Sequence, residues 1–484
     1  MATEKRTEYW YITDPEKDWK GYPRMTPAED PAGKLAELAA NTNYEDIPAK
    51  EIDRAKQGVL DTIAVMMGGS SARCVPAVAK SMERWKGMGE SKVFFYDYQA
   101  PSVIAAMVNG TMARALDFGD VHDTGGHISE FMIPAMLTGI SVADKKISGK
   151  EFLTAYILGA EWSTRQHSAC RFQYHPMGLP GECGSIGAAV GLAKMFGGDK
   201  EQIWNAAGFA FCANSIGEEQ KVFEGVDSQR IEHGFFGSDA IKAAVLAMDG
   251  LTAPHGIYFG DCGIFRYIVW DDIEPELLTK ELGTYWHWSD GLLVKPYASC
   301  KFTHSVVSAM IKLREQHNID YHDIADIHCI VAPNADPCIQ PSRWNPETVG
   351  EAMFSIPYAI SHAAIHGEVF LDAFDESEFK NPEKRELMQK VRVDISDDPN
   401  IPIFDGYTTE ITLKDGTQYS MTETAVLGCM ANPMTWDKFE EKFYKCAPYC
   451  VNEMPQEKLE KIVYLCKHLE EVEDMSELTE LLVP

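Results

Sequence analysis

The chain has 484 residues, enough for two or three domains built around a large core. Its apolar content of 45% and charged content of 24% are those of a soluble globular protein. A formal net charge of −29 argues against nucleic acid and anionic membrane surfaces as partners, and obliges any anionic ligand to find a local cluster of Lys and Arg.

Residues 1–30 are polar, with Pro15, Pro23 and Pro27, and read as an extended arm without the apolar core of a signal peptide. No window reaches the eighteen or so apolar residues of a membrane span. From about Asp30 to Trp288 apolar residues recur at three- and four-residue spacing, which predicts helix almost throughout. Ser148 with Glu151, and Asp199 with Gln202, form capping boxes that start two of these helices. Between them Gly184–Lys194 is built from Gly, Ser, Ala and Val, which predicts a buried helix in close contact with its neighbours.

After Lys295 the texture changes. Ile327–Val331, Val391–Ile395 and Tyr407–Thr422 alternate like strands, and Asp415-Gly416 marks a hairpin turn. A helical stretch, Pro346–His366, lies among them, and the helical pattern returns from Pro433 with Leu459, Ile462, Val463, Leu465 and Leu469 as its apolar set. The expected fold is therefore mainly α: an all-helical domain from residues 31–292 plus 433–484, with a smaller α+β lid domain, 293–432, inserted. Twelve cysteines without a CxxC pair read as reduced thiols, which suits a cytoplasmic protein.

Chemistry concentrates first in Leu116–Ser129, where Asp117, Asp120, Asp123, His122 and His127 fall within fourteen residues and no histidine precedes His122. Gly125 and Gly126 would bend the backbone between the two histidines. Three readings stay open. His122, Asp123 and His127 offer metal-ligand types in no standard spacing. Asp117 could orient an imidazole while His127 moves a proton near neutral pH. Or the aspartates merely cap a helix end.

Four further segments stand out. His175 precedes Pro176, is held extended, and lies before the start of the small-residue helix. Arg230 and His233, three apart, can share a helix face, and arginine is the natural bidentate partner of a carboxylate. Lys295, Cys300, Lys301 and His304 crowd the junction between the two textures, where ligand sites commonly lie. Tyr358 could present a hydroxyl. Each segment also has a purely structural reading.

Taken in order, NGTMARALDFGD followed by His127, HPMGLPGECGSIGAAVGLAKMFG, KPYASCKFTH, EAMFSIPYA and NPMTWDKFEEKF resemble the MmgE/PrpD family, from about residue 35 to the C-terminus. The family contains 2-methylcitrate dehydratase, cis-aconitate decarboxylase and iminodisuccinate epimerase. The resemblance implies a helical domain with an inserted lid, a homodimer, and a lyase needing no metal or organic cofactor. Its substrate would be a small anionic carboxylate. By position it implies Asp117, His127, His175 and Tyr358 as catalytic residues. Arg230, Lys295 and Lys301 would be the basic cluster, with His233, Cys300 and His304 as further ligand-binding positions.

This chain departs from the cis-aconitate decarboxylase pattern at Val121 (a threonine there), Arg230 (a lysine) and Cys300 (a histidine). Losing a hydroxyl donor and reshaping a cation favour a different substrate. The expected reaction is dehydration of a hydroxy-di- or tricarboxylate, with epimerisation or decarboxylation as alternatives. A metal-dependent hydrolase and a non-catalytic binding protein stand further off.

Overall fold

A computed structural model describes residues 25–124, 126–170, 184–213, 224, 226–260, 263–267, 273–398 and 400–484. The protein is mainly α, as expected. Among the described residues, the leading helices are α1 (Ala32–Asn41), α2 (Ala49–Gly69), α3 (Cys74–Met82), α4 (Ser102–Arg114), α5 (Ser129–Gly139), α6 (Gly149–Cys170), α7 (Gly184–Met195), α8 (Lys200–Ala213) and α9 (Ser228–Met248). Most of the N-terminal arm, with His175, lies outside the described residues.

Both capping boxes form. Ser148 N–H donates to Glu151 Oε2 at 2.8 Å ahead of α6, and Gln202 N–H donates to Asp199 Oδ1 at 2.9 Å ahead of α8. Helix α7 is buried along almost its whole length, and it packs on α6 because its small residues let backbones approach. A Cβ at Gly187 would lie 1.9 Å from Ser163 Oγ and 2.6 Å from the Gly159 carbonyl, so a side chain there would force the two helices apart.

Two short antiparallel pairs, which periodicity did not predict, interrupt the helices. They are β1 (Ser91–Lys92) with β2 (Gln99–Ala100), and β3 (Val121–His122) with β4 (Leu292–Leu293). Segments of two residues carry no readable alternation. The β3–β4 pair matters most for the site, because it docks the Asp117–His127 segment against the chain entering Lys295.

Beyond it, α10 (His304–His317) precedes a sheet of β5 (Ile324–Val331), β6 (Val391–Ile395), β7 (Tyr407–Leu413) and β8 (Gln418–Glu423). The spatial order is β6-β5-β7-β8, with β5 and β6 parallel and the other neighbours antiparallel. In β5, Ile327, Cys329 and Val331 point inward, and a register shift between Ile324 and Asp326 lets Ile324 join them. The expected hairpin forms at Gly416, whose φ is +89°. The helical stretch before His366 is two helices, α11 (Val349–Met353) and α12 (Ile356–His366), because Ser355 accepts the Tyr358 N–H and restarts the coil as a cap. Helix α13 (Pro382–Met388) follows on from it.

Helices α14 (Trp436–Cys446) and α15 (Gln456–Lys467) then return to pack on α2. Leu459, Ile462, Val463, Leu465 and Leu469 are all buried, as their spacing predicts. The described cysteines are free thiols. Among the described residues, no helix is long and apolar enough to cross a membrane.

Candidate active site

Helix α4 ends at Arg114, and three residues later Asp117 sits in the left-handed region with φ +48°. A non-glycine residue there is strained, and such strain persists only where surrounding contacts fix it. The contacts are on both sides of Asp117. Lys295 Nζ lies 3.0 Å from Asp117 Oδ1 and donates to the Asp117 carbonyl at 2.8 Å, while Arg114 Nη1 pairs with the same carboxylate. Asp117 and Lys295 side chains are 2% exposed. Burial alone would raise the Asp117 pKa, but Lys295, Arg114 and His127 outweigh it and hold the carboxyl well below its usual range.

His127 lies against this pair, with Nε2 3.6 Å from Asp117 Oδ1. Its Nδ1 is 2.8 Å from the backbone carbonyl of Asp120. A carbonyl only accepts, so Nδ1 carries the proton, and a neutral His127 presents the Nε2 lone pair as a base. The Asp120 side chain meanwhile accepts from Ser129 N–H at 3.0 Å, which ties the loop to the first turn of α5.

Glu130, one residue beyond the segment singled out in the sequence, is fully buried behind the imidazole. Its Oε2 is 3.2 Å from His127 Nδ1 and 3.4 Å from His233 Nδ1, and its Oε1 accepts from Gly119 N–H at 2.6 Å. A Cβ on Gly119 would sit 2.3 Å from Glu130 Oε1, so the approach requires glycine. Burial raises the Glu130 pKa to about 8, against the opposing pull of Arg114 and Lys295. A carboxyl whose folded pKa exceeds its unfolded value of 4.5 keeps a proton the unfolded chain would release. Stability therefore falls as pH rises from about 4.5 to about 8. Glu130→Gln is expected to flatten that part of the curve, measured as denaturant midpoint against pH.

The remaining predicted residues divide into those that join this cluster and those that do not. His233, on α9, is fully buried with its ring 5.6 Å from that of His127. His304 is buried beside Lys301 and Lys295, which together with desolvation push its pKa well below 6.5 and keep it neutral. Cys300 is buried next to Cys338, and its N–H donates to the Met353 carbonyl. Lys301 leans instead toward Asp405, 3.7 Å away, and burial lowers its pKa.

Arg230 pairs with Asp227 and faces a separate cavity of about 340 Å³. Leu116, next to Asp117, lines the same cavity, as do Phe374 and Asp375 from beyond the sheet's first strand. The hydroxyl of Tyr358 donates to the Ala373 carbonyl and accepts from Lys384 Nζ at 3.2 Å, while its ring packs on Phe374. Tyr358 thus stands behind a cavity wall and, among the described residues, contacts no member of the Asp117 cluster.

His122 does not gather with His127. Its Nδ1 lies 2.8 Å from Thr124 Oγ1 and 3.0 Å from Asp123 Oδ1, and its Nε2 lies 3.0 Å from the His287 carbonyl. Among the described residues, the side chains close enough to share a metal ion are His362, His366 and Glu378. There the ammonium of Lys384 already lies 2.7 Å from His362 Nδ1 and 2.6 Å from Glu378 Oε2.

Three residues escaped the sequence reading: Glu130, Arg114 and Lys442. Arg114 joins Asp117 to Glu232, whose Oε1 is 2.8 Å from Arg114 Nε. Lys442, on α14, donates to the carbonyls of Phe118 and Lys295 at 2.9 and 3.0 Å and pairs with buried Asp61 at 2.7 Å. One C-terminal ammonium thus clamps together the two segments that carry Asp117 and Lys295. Lys442→Met would strand Asp61 and is expected to cost about 3 kcal/mol of stability or more, read by chemical denaturation.

The MmgE/PrpD N-terminal domain matches residues 33–276 and the MmgE/PrpD C-terminal domain matches residues 297–468. Similar curated proteins include cis-aconitate decarboxylase of Homo sapiens, 26% identical over 454 residues covering 89% of this chain and 90% of that protein. Another is the cis-aconitate decarboxylase-like protein oryM of Aspergillus oryzae, 24% identical over 482 residues covering 94% and 98%. Cis-aconitate decarboxylase of Aspergillus terreus is 24% identical over 478 residues, covering 93% and 96%.

Proposed function

The chain belongs to the MmgE/PrpD family, and we propose that it is a lyase moving a proton at a carbon beside a carboxylate of a small polycarboxylate. The observation that carries this reading is the buried Asp117–Lys295–His127 arrangement, in which a base and a cation are set against one buried carboxylate. His127 Nε2 takes the proton. The Lys295 ammonium makes its described hydrogen bond and ion pair with Asp117, which leaves one of its three protons for a substrate carboxylate, where negative charge develops as the C–H bond breaks. Asp117 holds both partners in position, and Glu130, protonated below pH about 8, backs the imidazole from Nδ1.

The first reading of the overall reaction is dehydration of a hydroxy acid. His127 removes the proton, the electron pair forms a C=C bond, and the neighbouring C–O bond breaks to release water. His175 would serve as the second acid/base group at the leaving oxygen, since the Tyr358 hydroxyl is taken up by the Ala373 carbonyl and Lys384. Val121 supports a substrate other than cis-aconitate, since it packs with Leu293, Phe404 and Cys429 and offers no hydroxyl. The second reading, decarboxylation, is favoured by the similar proteins, which are cis-aconitate decarboxylases or decarboxylase-like. There a C–CO₂ bond breaks, carbon dioxide leaves, and a proton is delivered to the carbon.

The base, the cation and the orienting carboxylate are all side chains of this chain, so the reading calls on no metal or organic cofactor. It also takes residues 293–432 as a lid over the helical body, and a cytoplasmic homodimer as the working form. A panel of hydroxy-di- and tricarboxylates and their unsaturated counterparts tests the chemistry. Alkene absorbance without carbon dioxide supports dehydration, and carbon dioxide release supports decarboxylation. No turnover of any member would defeat the lyase reading.

A further inference from the structure

Helix α12 ends in His362-Ala363-Ala364-Ile365-His366, two imidazoles one turn apart and therefore on one face. Their rings stack 4.3 Å apart, and the short helical turn Glu376–Phe379 brings Glu378 across to them. Glu378 Oε2 lies 3.7 Å from His362 Nδ1 and 3.5 Å from His366 Nε2, and the three ligand atoms lie within 4.8 Å of one another. Two ligand atoms each about 2.1 Å from a tetrahedral zinc ion are about 3.4 Å apart, so the two Glu378 separations are close to those of a metal site.

A cation already sits among these atoms. The Lys384 ammonium, from the first turn of α13, lies 2.7 Å from His362 Nδ1 and 2.6 Å from Glu378 Oε2. An ammonium only donates, so Nδ1 offers it a lone pair and Glu378 offers it charge, which are the protonation states metal ligands need. Burial, with Lys384 and His366 beside it, pushes the His362 pKa down to about 2 and keeps the ring neutral. Burial also disfavours the ammonium itself, and Glu378 is its main support. An ion that takes over Glu378 removes what keeps Lys384 charged and leaves the amine to the Tyr358 hydroxyl, 3.2 Å away.

The donor set selects the ion. Two imidazoles and one carboxylate suit zinc and its first-row neighbours, whereas magnesium and calcium take oxygen ligands. His362 is buried and His366 is partly exposed, so the set is anchored in the core and open to solvent at one edge, where water can be the fourth ligand. Ala363 follows His362 at the position where zinc proteases of the His-Glu-x-x-His kind carry their general base, so the triad can hold an ion without that hydrolytic chemistry.

We propose that His362, His366 and Glu378 form a binding site for a zinc-type divalent ion, with Lys384 as the resident cation that the ion displaces. A bound ion would tie α12 to the turn behind Phe374, which lines the cavity. The proposal does not depend on the lyase reading.

Titration of the untagged full chain with cobalt(II) chloride tests this, because four-coordinate cobalt absorbs visible light and thiolate ligation adds a separate near-ultraviolet band. The wild type should bind one ion saturably without the thiolate band, and zinc should displace it while magnesium at the same concentration should not. His362→Ala and Glu378→Gln should each weaken binding about tenfold or more, since even partners behind metal ligands are worth that much. Lys384→Met should tighten binding about tenfold, because the competing charge-assisted hydrogen bonds are gone. Circular dichroism checks folding, and His366→Ala and Lys384→Gln stand in for His362→Ala and Lys384→Met if those fail to fold. The proposal is overturned by no saturable wild-type binding, a thiolate band from the bound ion, or displacement by magnesium. It is equally overturned by unchanged affinity on loss of a histidine, or by unchanged or weaker affinity on loss of the lysine.

Discussion

His127→Gln is expected to lower kcat by about a thousandfold or more while the protein stays folded, with a near-native circular dichroism spectrum and denaturation midpoint. The amide side chain fills much of the imidazole's volume but has no lone pair basic enough to accept a proton from carbon. General acid–base catalysis by one positioned group is worth roughly two to four orders of magnitude. The fold is expected to survive because His127 sits at a loop carried by α5 rather than in the apolar packing between helices, and the Asp120 cap on Ser129 does not depend on the ring. Activity within about tenfold of wild type would remove His127 from the base's role.

Lys295→Met is expected to damage both activity and stability. The lysine is one of two cations holding Asp117 in a left-handed backbone conformation, and its ammonium satisfies both the side chain and the carbonyl of that residue. Without it Arg114 alone faces a buried carboxylate, and removing one partner of a buried pair typically costs about 3–5 kcal/mol. The pH dependence should change in a defined direction. A carboxyl held below its unfolded value of 3.8 contributes stability above that pH and loses it as pH falls. With the Asp117 pKa raised in the variant, acid denaturation should begin at higher pH. On the catalytic side kcat/KM is expected to fall by roughly a hundredfold or more, since charge developing on the substrate loses its nearest cation. Lys295→Arg should recover acid stability better than it recovers kcat/KM, because it restores charge but not the placement of a compact ammonium. Unchanged stability together with unchanged kcat/KM would show that the Asp117–Lys295 contact carries neither role.

Much of this architecture could be read in the chain because its signals are local. Ser148 with Glu151, Asp199 with Gln202, and Asp415-Gly416 each report a boundary through residues at most three apart, and each boundary forms as read. The buried helix Gly184–Met195 announced itself by composition, since only small residues allow the approach of α6. The break at Ser355 inside the predicted helix was less visible, because a serine in an apolar run reads as helix until its hydroxyl is seen taking the Tyr358 N–H.

The site was legible only where its residues share a segment. Asp117 and His127 lie in one loop, and their pairing with Lys295 followed from resemblance rather than from spacing. The two-residue β3–β4 pair that makes the contact leaves no periodic trace. Arg114 looks like an ordinary helix-terminal cation, Glu130 like a first-turn acid on α5, and Lys442 like a charged surface position on an amphipathic helix. What separates them is burial against distant carbonyls and carboxylates, which is a property of the folded chain. Arg230 and Tyr358 illustrate the converse. Both were anticipated as site residues, and both stand apart from the Asp117 cluster, one facing the cavity and the other behind its wall.

The account's central claim is that His127 Nε2 exchanges a proton with a carbon next to a substrate carboxylate. It is tested most directly by starting from the unsaturated acid in deuterated water, so that hydration or decarboxylation delivers a proton to that carbon, and following the carbon by proton NMR. The account predicts one solvent deuteron incorporated stereospecifically at the reacting carbon by the wild type, and none by His127→Gln under identical conditions. Conversion by the wild type without solvent deuterium at that carbon, or equal incorporation by His127→Gln, would contradict it.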